Sequence, residues 1–199
     1  TSLGGFNFFS SSDSDDNTEH WKKAIDAICD SAASLSSTKT GALIICERKT
    51  KLGEQIATGT ILNCIPSTAI FGNIFFPNTP LHDGAVIIRD SKVYAAGCFL
   101  PKPQKEELIS KALGSRHRAA IGMSEVSDAV IVIVSEETGT ISVAENGSLT
   151  RFYNKDTLRK LLTSKLIPEK PENRKSKEKS AKKPKKDAPD NQKDKGADK

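Results

Sequence analysis

The apolar positions of this chain switch between helical and strand spacing, and that switching predicts most of the elements. Trp21, Ala24, Ile25, Ile28 and Leu35 share one helical face, in a helix that starts near Asn17 or Thr18, either of which can cap it. Gly41 to Glu47 is an apolar run of strand length, and Gln55 to Leu62 reads as a second strand. Ser67 caps a short helix carrying Ile70, Phe71, Ile74 and Phe75, closed by Pro77 and Pro80. Gly84–Arg89 and Val93–Leu100 flank Asp90-Ser91-Lys92, the pattern of a hairpin. Helices are expected from Glu106 to Leu113 and from about Arg116 to Val126. Ala129–Ser135 is continuously apolar, as in a strand covered on both faces. Thr140–Ala144 and Leu149–Tyr153 surround Asn146-Gly147, a strong hairpin signal, and Asn154 caps a last helix ending near Ile167. About seven strands interleaved with helices predict an α/β domain, a central mixed sheet with helices on both faces.

Composition refines the boundaries. The net charge of +5 suggests a nucleic-acid binder until the chain is divided. Residues 168–199 hold 12 Lys/Arg against 7 Asp/Glu, which leaves 18 of each sign in residues 1–167. The basic segment has no Val, Ile, Leu or aromatic residue, so it has nothing to bury and reads as a disordered Lys-rich tail. No nucleic-acid partner is therefore expected. Residues 1–16, rich in Ser, Asp and Gly without a period, read as a flexible linker, leaving 17–167 as one folded domain. The four cysteines (Cys29, Cys46, Cys64, Cys98) form no Cys-x-x-Cys pair and read as buried small side chains in a reducing compartment. No apolar stretch approaches the roughly 20 residues of a spanning helix.

Three short segments carry candidate chemistry. His82-Asp83-Gly84-Ala85 opens into an apolar strand; its plain reading is a turn, its functional one a carboxylate and an imidazole at a strand end where Gly84 lets a ligand approach the backbone. Gly114-Ser115-Arg116-His117-Arg118 begins a helix. Cations are unfavourable at that end unless an anion is bound, and two guanidiniums with the Ser115 hydroxyl suit phosphate; the alternative is a solvated arginine face. Ser135-Glu136-Glu137-Thr138-Gly139 brings two carboxylates to the end of the most apolar strand, as either an acidic turn or part of a site. Arginines for phosphate and carboxylates for a metal or a hydroxyl proton suit phosphoryl or nucleotidyl transfer, although neither a Walker A nor a dinucleotide-binding glycine motif is present.

Asn78–Ile88, Gly114–Gly122 and Ser135–Gly139, taken in order, closely resemble the diadenylate cyclase (DAC) family, whose hallmarks are Asp-Gly-Ala and Arg-His-Arg motifs. The resemblance spans about Trp21 to Phe152 and is nearest to the membrane-anchored (CdaA-type) subclass. It implies the DAC fold and condensation of two ATP into cyclic di-AMP with release of two pyrophosphates, using Mn²⁺ or Mg²⁺. Asp83, Arg116, His117 and Arg118 then correspond to catalytic positions, and His82 with Asp83 to metal ligands. Gly84, Ala85, Phe99, Leu100, Gly114, Ser115 and Glu137 correspond to ATP-binding positions. Ser115 stands where many relatives have Thr, and Phe99 where many have Tyr. The resemblance also implies a homodimer, a YbbR-domain regulator and a phosphoglucosamine mutase as partners. It further implies a place at the cytoplasmic face of the bacterial membrane, through N-terminal helices expected ahead of Thr1. The rival readings are a non-catalytic nucleotide-binding module and a metal-dependent phosphohydrolase. The first predicts ATP binding without turnover; the second predicts release of phosphate or a monophosphate without a new linkage.

Overall fold

The structure, a computed structural model, describes residues 12–104, 110 and 113–168. Most of the expected 106–113 helix and nearly all of the basic tail lie outside the described residues.

Helix α1 spans Ser12–Ser37 and buries Trp21, Ala24, Ile25, Ile28, Ala32 and Leu35, the stripe that its sequence period marks. It begins ahead of the expected Asn17 cap. Asp15 and Asp16 belong to its N-terminal part, where negative charge is favourable against the helix dipole. Strand β1 (Ala42–Cys46) follows. The expected strand over 55–62 divides instead into a single helical turn, α2 (Gly53–Ile56), and a strand, β2 (Thr60–Cys64). Leu52 and Ile56, one turn apart, are both buried, and the Leu52 N–H donates to the buried Glu47 carboxylate at 2.9 Å, which turns the chain there. Helix α3 (Thr68–Ile74) starts at Ser67, whose hydroxyl accepts from the Ile70 N–H.

Strands β3 (Ala85–Arg89) and β4 (Lys92–Cys98) form the expected hairpin, with Asp90 and Ser91 both at positive φ (49° and 61°). Helix α4 (Ser115–Val126) leads to β5 (Val130–Val134). Strands β6 (Ile141–Glu145) and β7 (Ser148–Tyr153) meet at Asn146-Gly147, again with both residues at positive φ, the geometry that matches strand twist. Helix α5 (Lys155–Leu166) is closed by a capping box between Asn154 and Thr157.

The seven strands make one mixed sheet in the order β2-β4-β3-β1-β5-β6-β7. Only β1 and β3 pair in parallel; the other neighbours are antiparallel. Every residue of β1 and β5 is buried, because helices cover both faces of the sheet centre. Alternating side chains divide the core. Ile44, Val86, Val132 and Val143 pack toward α1, α3 and α5, whereas Leu43, Ile87, Ile131 and Ala144 pack with Leu52, Ile56 and the buried face of α4. The second face carries the candidate chemistry.

Candidate functional site

The site begins at a backbone crossing. Gly84, just before β3, has φ +109°, and a Cβ there would lie 2.7 Å from the Gly97 carbonyl carbon and 2.9 Å from the Cys98 oxygen. Only glycine fits. This close approach sets Asp83, whose side chain is exposed, beside Phe99 and Leu100 at the end of β4. The preceding turn is self-bonded: His82 N–H donates to the Thr79 carbonyl at 3.3 Å, and His82 Nδ1 lies 2.6 Å from the same oxygen. Since a carbonyl only accepts, Nδ1 is the donor of this contact. Phe99 is 63% exposed at the cleft rim, and its N–H donates to the Thr58 hydroxyl at 2.8 Å.

Helix α4 supplies the opposite wall. Gly114 is its N-cap and offers no side-chain oxygen, so Ser115 is the first helical residue and does not cap. The first turn contains no acidic residue, and Arg116, His117 and Arg118 all fall within it. Arg116 bridges the two motifs: Nη2 donates to the His82 carbonyl at 3.3 Å, and Nη1 donates to Glu136 Oε2 at 2.5 Å. Arg116 Nε is buried without a hydrogen-bond partner among the described residues. Gly41, at the entry to β1, makes room for this pair; a Cβ there would lie 2.7 Å from Arg116 Nη1 and 2.9 Å from Glu136 Oε2.

His117 is only 5% exposed, and its Nε2 likewise has no partner among the described residues. Burial lowers the pKa of its imidazole below the ordinary 6.5, and the Arg151 charge lowers it further, against an opposing pull from Glu137. It is therefore neutral at pH 7. Arg118 turns away from Arg116. Its Nε donates to the Leu113 carbonyl at 3.1 Å, and it lines a neighbouring hollow with Leu100 and Pro101–Pro103.

The expected site residues thus divide among three hollows. Asp83, Gly84, Phe99, Leu100, Ser115 and Arg116 line one cleft of about 200 Å³, with Leu43 and Ala119. Gly114, Ser115, Arg116, His117 and Glu137 line a hollow of about 40 Å³. Arg118 faces the third, of about 420 Å³, which also takes in Leu100, Gly114 and Ser115. Ser115 borders all three and Arg116 the first two. Ala85 is fully buried in the core beneath the cleft rather than among its lining residues. His82 reaches the cleft through its carbonyl bond to Arg116.

Three contributors, Gly41, Leu43 and Arg151, escaped sequence reasoning. Gly41 and Leu43 looked like ordinary strand residues. Of the two carboxylates in the Ser135–Gly139 segment, Glu136 rather than Glu137 pairs with Arg116. Arg151, a single cation in an edge strand, carried no sequence signal at all. Among the described residues, no group of three or more His, Cys, Asp or Glu side chains could hold a metal, and no helix is long and apolar enough to cross a membrane.

Comparison with known proteins bears on the fold and the family. The family model for DAC, "DisA bacterial checkpoint controller nucleotide-binding", matches residues 29–149. The chain is 47% identical over 144 residues to the cyclic di-AMP synthase CdaA of Bacillus subtilis, a match covering 72% of this chain and 52% of that protein. It thus spans about half the length of the first curated relatives it matches. A double mutant of DacA from Staphylococcus aureus superposes with a TM-score of 0.71 at 42% identity, covering 73% of this chain and 97% of that one. A Bacillus cereus structure, described as a hypothetical membrane-spanning protein, gives a TM-score of 0.61 at 45% identity over 64% of this chain and 62% of that one.

Proposed function

This chain belongs to the DAC family, and on that premise we propose that it is a diadenylate cyclase, a nucleotidyltransferase that joins two ATP molecules into cyclic di-AMP and releases two pyrophosphates. The observation that carries the reading is the shared cleft: an exposed carboxylate, Asp83, faces a helix N-terminus bearing Ser115 and Arg116, with an aromatic ring at the rim.

The chemistry follows from that layout. A ribose 3′-hydroxyl attacks the α-phosphorus of the second nucleotide; the new P–O3′ bond forms as the bond to the bridging oxygen of pyrophosphate breaks. The hydroxyl is a poor nucleophile until its proton is drawn off, and Asp83 is the carboxylate positioned to accept it. Gly84 and the Phe99 ring border the nucleoside end of the cleft, where an exposed aromatic ring suits base stacking. Ser115, Arg116 and the free N–H groups of the first α4 turn face the phosphates and oppose the charge that builds on the leaving pyrophosphate. Arg118, on the neighbouring hollow, and neutral His117, beneath Arg116, act at the margins of this phosphate region.

A hard divalent cation would be held by the Asp83 carboxylate and phosphate oxygens; His82, which the family resemblance gives as a second ligand, touches the cleft only through its carbonyl. When bound, Mn²⁺ or Mg²⁺ acidifies the attacking hydroxyl and neutralises phosphate charge.

The product adds a constraint. Cyclic di-AMP is two-fold symmetric, each 3′-oxygen bonded to the other nucleotide's phosphorus, so two clefts must face one another, most simply across a two-fold axis between protomers. We place the domain at the cytoplasmic face of the cell membrane; the membrane association is supported by the description of the Bacillus cereus relative as membrane-spanning. The deciding experiment incubates the chain with ATP and Mn²⁺, then Mg²⁺, and identifies products by mass. Cyclic di-AMP that disappears in Asp83→Asn is the expected result; ATP left intact with both metals, or phosphate released without a dinucleotide, would refute it. Activity per protomer should also fall on dilution, as the facing pair dissociates.

A further inference from the structure

We propose that Arg151 is a further phosphate-binding residue of this site, holding the terminal phosphates of the nucleotide, and then the departing pyrophosphate, across from Arg116. The inference rests on the nucleotide reading above and extends the site to β7, an element that none of the sequence motifs touches.

The strand register places Arg151 there. It pairs with Ser142 on β6, and Ser142 pairs with Ile133 on β5, whose side chain lies in the core beneath α4. Paired residues share a face, so Arg151 stands on the α4 side of the sheet. The next pair is Ile141 with Tyr153, which leaves Phe152 as an extra residue with φ +68°. This is a bulge. Without it, strict alternation would turn Tyr153 toward α4. With it, Tyr153 packs against the α1 and α5 side while Arg151 keeps its place beside the start of α4. An exposed aromatic residue at positive φ is an unfavourable choice for a merely structural strand end.

Arg151 lines the 40 Å³ hollow together with Ser115, Arg116, His117 and Glu137. This hollow opens at the N-terminus of α4, a helix of 12 residues, and is bordered by His117, only 5% exposed, whose Nε2 lacks a partner among the described residues. Both features favour an anion or a hydrogen-bonding ligand. Arg151 forms no ion pair among the described residues; its guanidinium lies 5.1 Å from the Phe152 ring centroid, a contact that orients the fork without neutralising it. The hollow has room for little more than a water because Glu136 sits on Arg116. Glu136 is the more exposed partner, with a side chain 60% exposed against 19% for Arg116. A triphosphate that takes the Glu136 position on Arg116 brings its outer phosphates between Arg116 and Arg151, and two guanidiniums then clamp the group that leaves.

The test is equilibrium binding of ATP (as its 3′-deoxy analogue, which cannot form the dinucleotide), AMP and inorganic pyrophosphate to the wild type, Arg151→Ala and Arg151→Lys, in the presence of Mn²⁺, with thermal melting to establish that each variant is folded. Arg151→Ala should weaken ATP and pyrophosphate by about tenfold or more, the scale of a lost charge-assisted contact, and leave AMP unchanged. Arg151→Lys should recover part of the loss. Wild-type affinity of Arg151→Ala for pyrophosphate, or equal losses for AMP and ATP, would overturn the proposal, as would a wild type that binds AMP as well as ATP. A wild type that shows the Arg151 dependence but forms no dinucleotide would refute the cyclase reading and leave this one standing.

Discussion

The two faces of the sheet are built by opposite rules. Toward α1, α3 and α5 the side chains are almost entirely apolar: Ile25, Ile28, Phe71, Val132 and Leu158 are essentially inaccessible, and α5 is tied to α1 at its rim by the Lys155–Asp30 and Arg159–Asp26 pairs. Toward α4 the same strands carry a smaller apolar core. Arg116 Nε, His117 Nε2 and Ser142 Oγ are buried on that side without partners among the described residues, and Gly41 and Gly84 stand where a side chain would collide. Buried polar atoms left unpaired cost stability. The first face therefore supplies stability that the second, with its unpaired polar atoms, draws on.

Breaking each face separately should give opposite signatures. The largest expected effect is on chemistry: Asp83→Asn, at an exposed position, should lower cyclic di-AMP formation by about 10²-fold or more with an unchanged melting temperature. Paired assays of rate and thermal unfolding on one preparation separate the two. Ile28→Ala, at a site with no accessible surface, should do the reverse, costing about 2–5 kcal/mol in denaturant unfolding while the activity of the folded fraction persists. A loss of turnover in that variant at low denaturant would mean that the faces are coupled.

Acid sharpens the contrast. The folded-state pKa of His117 is depressed by burial and by Arg151, so the unfolded chain takes up its proton first. The contribution is fully present above the unfolded value near 6.5 and is lost as pH falls below it. Unfolding free energy should decline from pH 7 downward, and His117→Asn should flatten that decline. Glu47 acts at lower pH. Burial pushes its carboxyl up, but hydrogen bonds from Arg89, the Leu52 N–H and Lys51 outweigh that and hold it below the ordinary 4.5, so its contribution is lost only in stronger acid. The smallest effect concerns the bulge: Phe152→Gly removes an exposed ring at φ +68° and should raise stability by about 1 kcal/mol in denaturant melts. A drop instead would show that the ring's contact with Arg151 outweighs the backbone strain.

Legibility along the sequence follows the range of the interactions. The helix stripe from Trp21 to Leu35, the Ser67 and Asn154 caps and the Asn146-Gly147 turn are local, set by spacing and by bonds between neighbouring residues, and each stands where its pattern puts it. The 55–62 segment does not: its turn depends on Glu47, whose carboxylate takes the Leu52 N–H, and on Gly59, where a Cβ would lie 2.5 Å from the Cys98 sulfur. Neither constraint is visible within the segment. The site behaves likewise. Asp83-Gly84 and Ser115-Arg116 announce themselves because glycine and cations at those points are locally costly. Gly41 and Arg151 are ordinary residues locally and acquire meaning only from what they face, and only the contact with Arg116 singles out Glu136 from Glu137.

By itself, then, the sequence determined the mixed α/β class, the two motifs and the chemistry they suit, because periodicity, capping and misplaced charge are properties of short stretches of chain. Only the tertiary structure decided that Arg116 joins the His82 turn to Glu136, that Arg118 faces a separate hollow, and that Arg151 stands beside the start of α4. Those outcomes hang on strand order, on a one-residue bulge and on close approaches between residues far apart in the chain. No local free energy encodes such distances; the packed sheet fixes them all at once.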